Sequence, residues 1–386
     1  MTGARRIFYV FLAYYGITCF SDVYFVFGPY YERMGASPRA AGLFLSIFYM
    51  AMIMCRPLGS MAMERIGAQR TLIASSSLAA ISGAGIALLP HSEPLLLMFR
   101  FISGLSVSVF AVAIVAYQSM LLDKGSRGLG FALFTTGSLL PLATVVPFCE
   151  WLQRAGYYEF YSWLPVLIAL ACVALACGVR EVRSASSSKE EKWGSYRDML
   201  KVQGITALLL TALVMSVADG MTICVAYLAQ DRFVPASWFL VFEAAAGIIV
   251  RTAAYRFVAW LPRPLLAASA SALMGFALFG LSFASSSLMF AIFGILFGVG
   301  IGIGFPTYLS LVGDLAPVKF YPKATGSLLL AIDFGWMASP LIFGYVSPVF
   351  SASGTFRAAG LLIFAVSFVL HFKLWVPLWK KLERVE

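Results

Sequence analysis

Apolar residues in this chain gather into long runs separated by short polar breaks. Runs of helix-spanning length fall at about 7–30, 38–62, 69–90, 94–121, 127–151, 157–179, 204–229, 236–259, 264–285, 287–314, 321–350 and 355–376. About 20 consecutive apolar residues carry one helix across the hydrocarbon of a bilayer, so the pattern predicts twelve crossings. An open sheet edge has no partners in hydrocarbon, and the weak alternation of a barrel strand is absent, so the runs are expected as helices. The first run is too long for a cleavable leader and holds Asp22, and is expected to remain as the first helix. The fold class is therefore all-α, polytopic and membrane-embedded.

Composition agrees and narrows the function. Of 386 residues, 61% are hydrophobic and only 12% are charged, against about 25% charged in an ordinary soluble domain. A water-soluble enzyme and a disordered chain are both excluded. The six cysteines, Cys19, Cys55, Cys149, Cys172, Cys177 and Cys224, lie in apolar runs without a C-x-x-C pair, and read as small buried hydrophobes. His91 and His371 are far apart, so no metal and no cofactor are expected.

The net charge of +10 changes the picture through its placement. Lysine and arginine fall between the runs rather than in one patch, which argues against nucleic acid as a partner. With the N-terminus inside, the cytoplasmic loops hold twenty of them and the outer loops only Arg33, Arg39, Arg154, Arg232 and Arg357. That bias places both termini in the cytoplasm, in the cytoplasmic (inner) membrane.

The longest polar stretch, serine-rich and charged, is expected as a cytoplasmic linker at 181–203 between an N-terminal bundle, 1–180, and a C-terminal bundle, 204–386. The bundles read as copies. Asp22 and Asp219 are offset by 197 (219 − 22), and Arg56 and Arg251 by 195 (251 − 56). Two pseudo-symmetric six-helix bundles are a recurring plan of secondary transporters, with the substrate at their interface.

Seven ionisable residues fall inside the runs: Asp22, Arg56, Arg100, Asp219, Glu243, Arg251 and Asp333. Each costs about 2.5–3.5 kcal/mol at mid-membrane, so they are expected to pair or to face water inside the bundles. Counting about 1.5 Å per residue puts Asp22, Arg100, Asp219 and Glu243 in an outer layer, Asp333 near the middle, and Arg56 and Arg251 toward the inside. Arginine keeps its proton, whereas a carboxyl group moved between wet and dry, paired and unpaired surroundings can load and release one. Asp22 opposite Arg100 is the leading candidate for that switch, with a static buried ion pair as the alternative. Asp219, Glu243 and Asp333 are further candidates. For Arg56 and Arg251 a helix-anchoring role is favoured. Tyr15 shares a face with Asp22 and is a candidate to line the cavity.

These residues resemble the major facilitator superfamily. Between the second and third runs stands Ser60-Met61-Ala62-Met63-Glu64-Arg65-Ile66-Gly67-Ala68-Gln69-Arg70, which is similar to the cytoplasmic signature G-x-L-A-D-R-x-G-R-K, with Ser60 for its first glycine and Ala68-Gln69 for its basic pair. Arg56-Pro57 resembles many efflux members, Arg100-Phe101-Ile102-Ser103-Gly104 resembles R-x-x-Q-G, and Arg127-Gly128-Leu129-Gly130 resembles the opening of a fifth helix. The exporters' glycine-proline pattern is matched only in part, because Pro141 stands where a glycine is expected. The resemblance implies that Glu64, Arg65, Gly67 and Arg70 form a cytoplasmic gate whose charges hold the outward-facing state. Gly294, Gly298, Gly300, Gly302 and Gly304 are expected to serve close helix packing, since neither a preceding strand nor G-K-S/T makes them a nucleotide loop.

The expected function is a proton-coupled antiporter that exports a small organic molecule by alternating access. The alternative is a symporter importing a nutrient or organic anion. An intramembrane enzyme or lipid-handling sensor is remote, because H-E-x-x-H and G-x-S-x-G are missing. The expected partners are the substrate, protons and the lipid bilayer, with the chain as a monomer.

Overall fold

The computed structural model describes residues 3–121, 136–179, 195–253 and 260–383. All regular structure among them is helical. The chain divides into two compact units, Met1–Ser186 and Ser187–Glu386. Of the expected linker at 181–203, residues 181–194 lie outside the described residues. Its end forms the short helix Tyr196–Leu200, with Met199 buried.

In the first unit the crossings are Gly3–Asp22 continued by Phe27–Arg33, then Pro38–Ile66, Ala68–Leu88, Glu93–Leu121, the pair Leu140–Ala143 and Val145–Arg154, and Tyr158–Cys177. The second unit holds Ile205–Gly220 continued by Val225–Asp231, then Ser237–Thr252, Arg263–Leu281, Ser287–Leu315 and Tyr321–Leu370, which is followed by Val376–Leu382. The 50-residue helix is two crossings joined at Ser351, whose φ of 64° breaks it. Nine described stretches are long and apolar enough to cross a membrane, and the last of them, Lys323–Lys381, contains that break. The fifth and eighth crossings are described over shorter lengths.

Local chemistry sets several boundaries. The Ser37 hydroxyl accepts from the Ala40 amide at 3.1 Å, and Pro38 follows at the first helical position, which suits a residue without an N–H. Ser286 caps the tenth crossing in the same way through the Met289 amide. Of the cysteines, Cys177 is exposed, contrary to expectation, because it ends its helix; the other five are buried and all six are free.

Each unit repeats one plan at the level of atoms. The first crossing is interrupted by a 3₁₀ turn at Val23–Val26, directly after Asp22, and the seventh by one at Met221–Cys224, directly after Asp219 and Gly220. Neither turn contains proline. In the first, side chains from other helices supply what the break removes: Tyr161 donates to the Val23 carbonyl at 3.0 Å and Gln153 to the Val26 carbonyl at 3.1 Å. In the second, the Thr222 hydroxyl donates to the Asp219 carbonyl at 2.6 Å.

Packing between crossings repeats too. Thr18 donates to the Gly137 carbonyl at 3.3 Å, joining the first crossing to the fifth, and Ser216 donates to the Ala331 carbonyl at 3.1 Å, joining the seventh to the eleventh. A Cβ on Gly104 would strike the Phe48 carbonyl and the Ala51 side chain, and one on Gly298 would strike the Glu243 carbonyl and the Ala246 side chain. Lipid tails are as apolar as leucine, so close backbone approach and polar contacts hold such helices together.

Candidate functional site

The link between the second and third crossings is a single residue. Gly67 ends Pro38–Ile66 and begins Ala68–Leu88 at φ 83° and ψ 169°, a conformation that a side chain would strain. Arg65 and Arg70 on either side are exposed. Gln69 donates to the Cys177 carbonyl at 3.0 Å and ties the link to the sixth crossing. The Glu64 side chain lies outside the described residues, as do Arg127 and Gly128.

Arg100 is the most enclosed charge of the first unit, at 2% exposure. Its guanidinium carbon lies 4.1 Å from the Tyr24 ring centroid, 4.2 Å from that of Phe48 and 5.1 Å from that of Phe44. Ring faces attract a cation by about 0.5–2 kcal/mol each. Three of them offset much of the membrane cost of one arginine, about 2.5–3.5 kcal/mol. Two of its nitrogens are unmet: Nε and Nη1 have no hydrogen-bond partner, and neither does the Tyr24 hydroxyl.

The expected Asp22–Arg100 ion pair is not formed. No carboxylate among the described residues lies within ion-pair distance of Arg100. Asp22, half-buried, acts on it only from farther away. Equal depth on two helices does not fix where each side chain points, and the aromatic rings claim the faces of the guanidinium. Tyr15 binds the Thr144 hydroxyl at 2.6 Å, where the fifth crossing breaks. Arg56 is half-buried in the second crossing, one residue before Pro57.

In the second unit the structure gathers what the sequence lists separately. Glu243 is 1% exposed, its Oε2 has no hydrogen-bond partner, and no cation among the described residues reaches ion-pair distance. Trp336 of the eleventh crossing donates its indole N–H to Asp219 Oδ2 at 2.9 Å. Arg251 lies within electrostatic reach of both Asp219 and Glu243, and its guanidinium carbon is 5.4 Å from the Phe305 ring centroid. Arg251 is therefore part of the same electrostatic group as the two acids rather than of a separate inner layer. Asp333 is buried at 6% exposure, one turn before Trp336.

Sequence reasoning missed Phe44, Phe48 and Trp336, and saw Tyr24 only as one of several first-helix aromatics that could line a pocket. Aromatic side chains are common in membrane helices, so none stood out by type. The spacing of Phe44 and Phe48, one helical turn apart, was a usable signal. So was Trp336 within a turn of Asp333.

The described residues contain no cluster of three or more histidine, cysteine or acidic side chains placed to hold a metal ion. A family model described as Major Facilitator Superfamily matches residues 7–266. "Putative metabolite transport protein YwtG" of Bacillus subtilis (strain 168) is 26% identical over 152 residues, which are 38% of this chain and 32% of that protein. The match thus spans about a third of that relative's length. Among solved structures, a point mutant of the peptide transporter POT aligns over 95% of this chain and 93% of its own, with a TM-score of 0.78 and 13% identity. A D-xylose-proton symporter aligns over 95% and 96%, with a TM-score of 0.75 and 14% identity. The human organic anion transporter MFSD10 (TETRAN) aligns over 96% and 100%, with a TM-score of 0.69 and 16% identity. At these identities the three structures share the fold.

Proposed function

This chain belongs to the Major Facilitator Superfamily, and on that premise we propose that it exports a small organic molecule in exchange for protons. It is an integral membrane transporter, not an enzyme. Alternating access supplies the cycle, with each side of the membrane reaching the same charged groups in turn.

Glu243 carries the proposal. A bare carboxylate as enclosed as this one costs several kcal/mol, and a proton removes the cost. When the cycle admits water to it, the proton leaves. Asp219 is held differently: the Trp336 indole donates to it and Arg251 lies in reach. In this reading Glu243 moves the proton, and Asp219 and Arg251 set the field around it. Asp22 is the corresponding acid of the first unit and the second candidate for a proton. The cytoplasmic link with Arg65, Gly67 and Arg70 is the proposed gate, and Glu64 belongs to it by its place in the motif. A metabolite-sized substrate is supported by the name of the Bacillus relative, and export by the likeness of Arg56-Pro57 to efflux members.

The test is transport in proteoliposomes with an acid interior. An exported compound is expected to accumulate and to collapse the pH gradient as it does so. Import by symport has the same fold, as in the D-xylose-proton symporter, and predicts no accumulation in these vesicles. Flux that ignores the pH gradient for every transported compound would overturn proton coupling altogether.

A further inference from the structure

We infer that Arg100 and Tyr24 form a carboxylate-binding subsite, and that the transported molecule is an organic monocarboxylate with an apolar or aromatic body. This rests on the transporter reading above and names its substrate class.

The first observation is a set of unfilled donors. Arg100 Nε, Arg100 Nη1 and the Tyr24 hydroxyl are all enclosed, and none has a hydrogen-bond partner. The guanidinium carbon lies only 4.1 Å from the Tyr24 ring centroid, so the donors belong to one small region. Nε and Nη1 each share an edge of the planar group with Nη2, and either edge is spaced to meet the two oxygens of a carboxylate at once. A carboxylate only accepts, so both of its oxygens suit the N–H groups of whichever edge it meets. An amide of the same shape presents one oxygen and adds donors of its own.

Charge and walls narrow the ligand. Among the described residues, Arg100 is in electrostatic reach of three tyrosines and Asp22, and of no second cation. One positive group balances one negative group, which favours a monocarboxylate over a phosphate dianion. The rings of Tyr24, Phe44 and Phe48 wall the guanidinium and offer apolar contact to the body of the ligand.

The second unit provides an internal control. The Gly104 contact with Phe48 corresponds to the Gly298 contact with Glu243, at offsets of 194 (298 − 104) and 195 (243 − 48). At the same offset, Arg100 corresponds to Gly294, whose added Cβ would strike the Phe239 carbonyl. The fold therefore closes at this place with no side chain at all. A buried cation there is a property of the first unit and not a demand of the architecture.

Access follows from the backbone. Tyr24 sits in the 3₁₀ turn Val23–Val26, where the first crossing has already left α-helical hydrogen bonding. A ligand would reach the guanidinium by displacing the Tyr24 ring at this turn, with the Tyr24 hydroxyl then free to donate to it.

The experiment uses the full chain in lipid nanodiscs, without any gradient. Thermal unfolding is followed with butyrate, benzoate and naphthoate, each set against its own amide. At least one acid is expected to raise the unfolding midpoint where its amide does not. Arg100→Gln is expected to abolish that preference and Tyr24→Phe to weaken acid binding, by about tenfold or more for the charged group. Arg100→Lys keeps the charge without the fork and guards against a misfolded glutamine variant; it is expected to retain a reduced preference. If no acid is preferred over its amide, or if the preference survives Arg100→Gln, the subsite is refuted. Failure of proton coupling would appear instead as gradient-independent flux in the proteoliposomes, and leaves acid preference in nanodiscs untouched.

Discussion

At the scale of single residues, membrane burial leaves a charge few options, and the two units use different ones. Arg100 lies among three aromatic rings, Asp219 accepts from an indole, and Glu243 has one oxygen with no partner. Of the two acids, only Glu243 is buried without a hydrogen bond or ion pair among the described residues, which is why the proton is placed there. Glu243→Gln keeps the shape and fixes the neutral form, so gradient-driven accumulation is expected to disappear while exchange of labelled for unlabelled substrate continues without a gradient. Asp22→Asn, beside an Arg100 it does not bind, is expected to keep most of that accumulation. Both are read as radiolabel uptake in the same vesicles, and wild-type accumulation by Glu243→Gln would shift the proton elsewhere. The sequence identifies every one of these ionisable groups, because a charge inside an apolar run is conspicuous. It does not identify their partners. Tyr24, Phe48 and Trp336 are ordinary membrane residues by type, and only the rotation of each helix brings them to the charges.

Elements tell a similar story with a different limit. Long apolar runs fix the number and order of helices, and the matched acids already hint at two copies. The break inside the first crossing has a local signal in Pro29, which has no N–H for the Phe25 carbonyl, but the one inside the seventh is not legible, because Met221-Thr222-Ile223-Cys224 contains neither proline nor glycine. At the first break Tyr161 and Gln153, distant in sequence, take the Val23 and Val26 carbonyls. Glycine spacing is more readable: Gly294, Gly298 and Gly302 face the eighth crossing, Gly300 faces the ninth, and Gly304 meets Met215 of the seventh and Ala270 of the ninth, as close packing requires. Gly104→Ala and Gly298→Ala each drive a methyl group into a carbonyl of the neighbouring helix. Overpacking of this kind costs about 1–3 kcal/mol, so both variants are expected to unfold at lower temperature than wild type in the same detergent. Because the contacts are equivalent, the two losses should be similar; an unchanged midpoint in either would mean that the helices separate there at no cost.

For the whole molecule, orientation is the property that the basic residues decide. Twenty lysines and arginines lie on the side that includes both termini and five on the other. Such a bias sets topology during insertion. Exposed turns report it with least damage to packing. Gly67 sits in the one-residue link after the second crossing, Gly156 has φ 83° in the turn before the sixth, and Phe233 is 92% exposed after the seventh. Counting from a cytoplasmic N-terminus, the first lies inside and the other two outside. An epitope tag inserted after Gly156 or after Phe233 is therefore expected to bind antibody on intact spheroplasts, and one after Gly67 only on inverted vesicles. The opposite pattern would invert the chain and with it the direction in which Glu243 meets the proton gradient. A tag after Phe233 that shares the side of Gly67 would instead break the odd number of crossings between them, and the repeat of first and seventh helices would then be antiparallel rather than parallel.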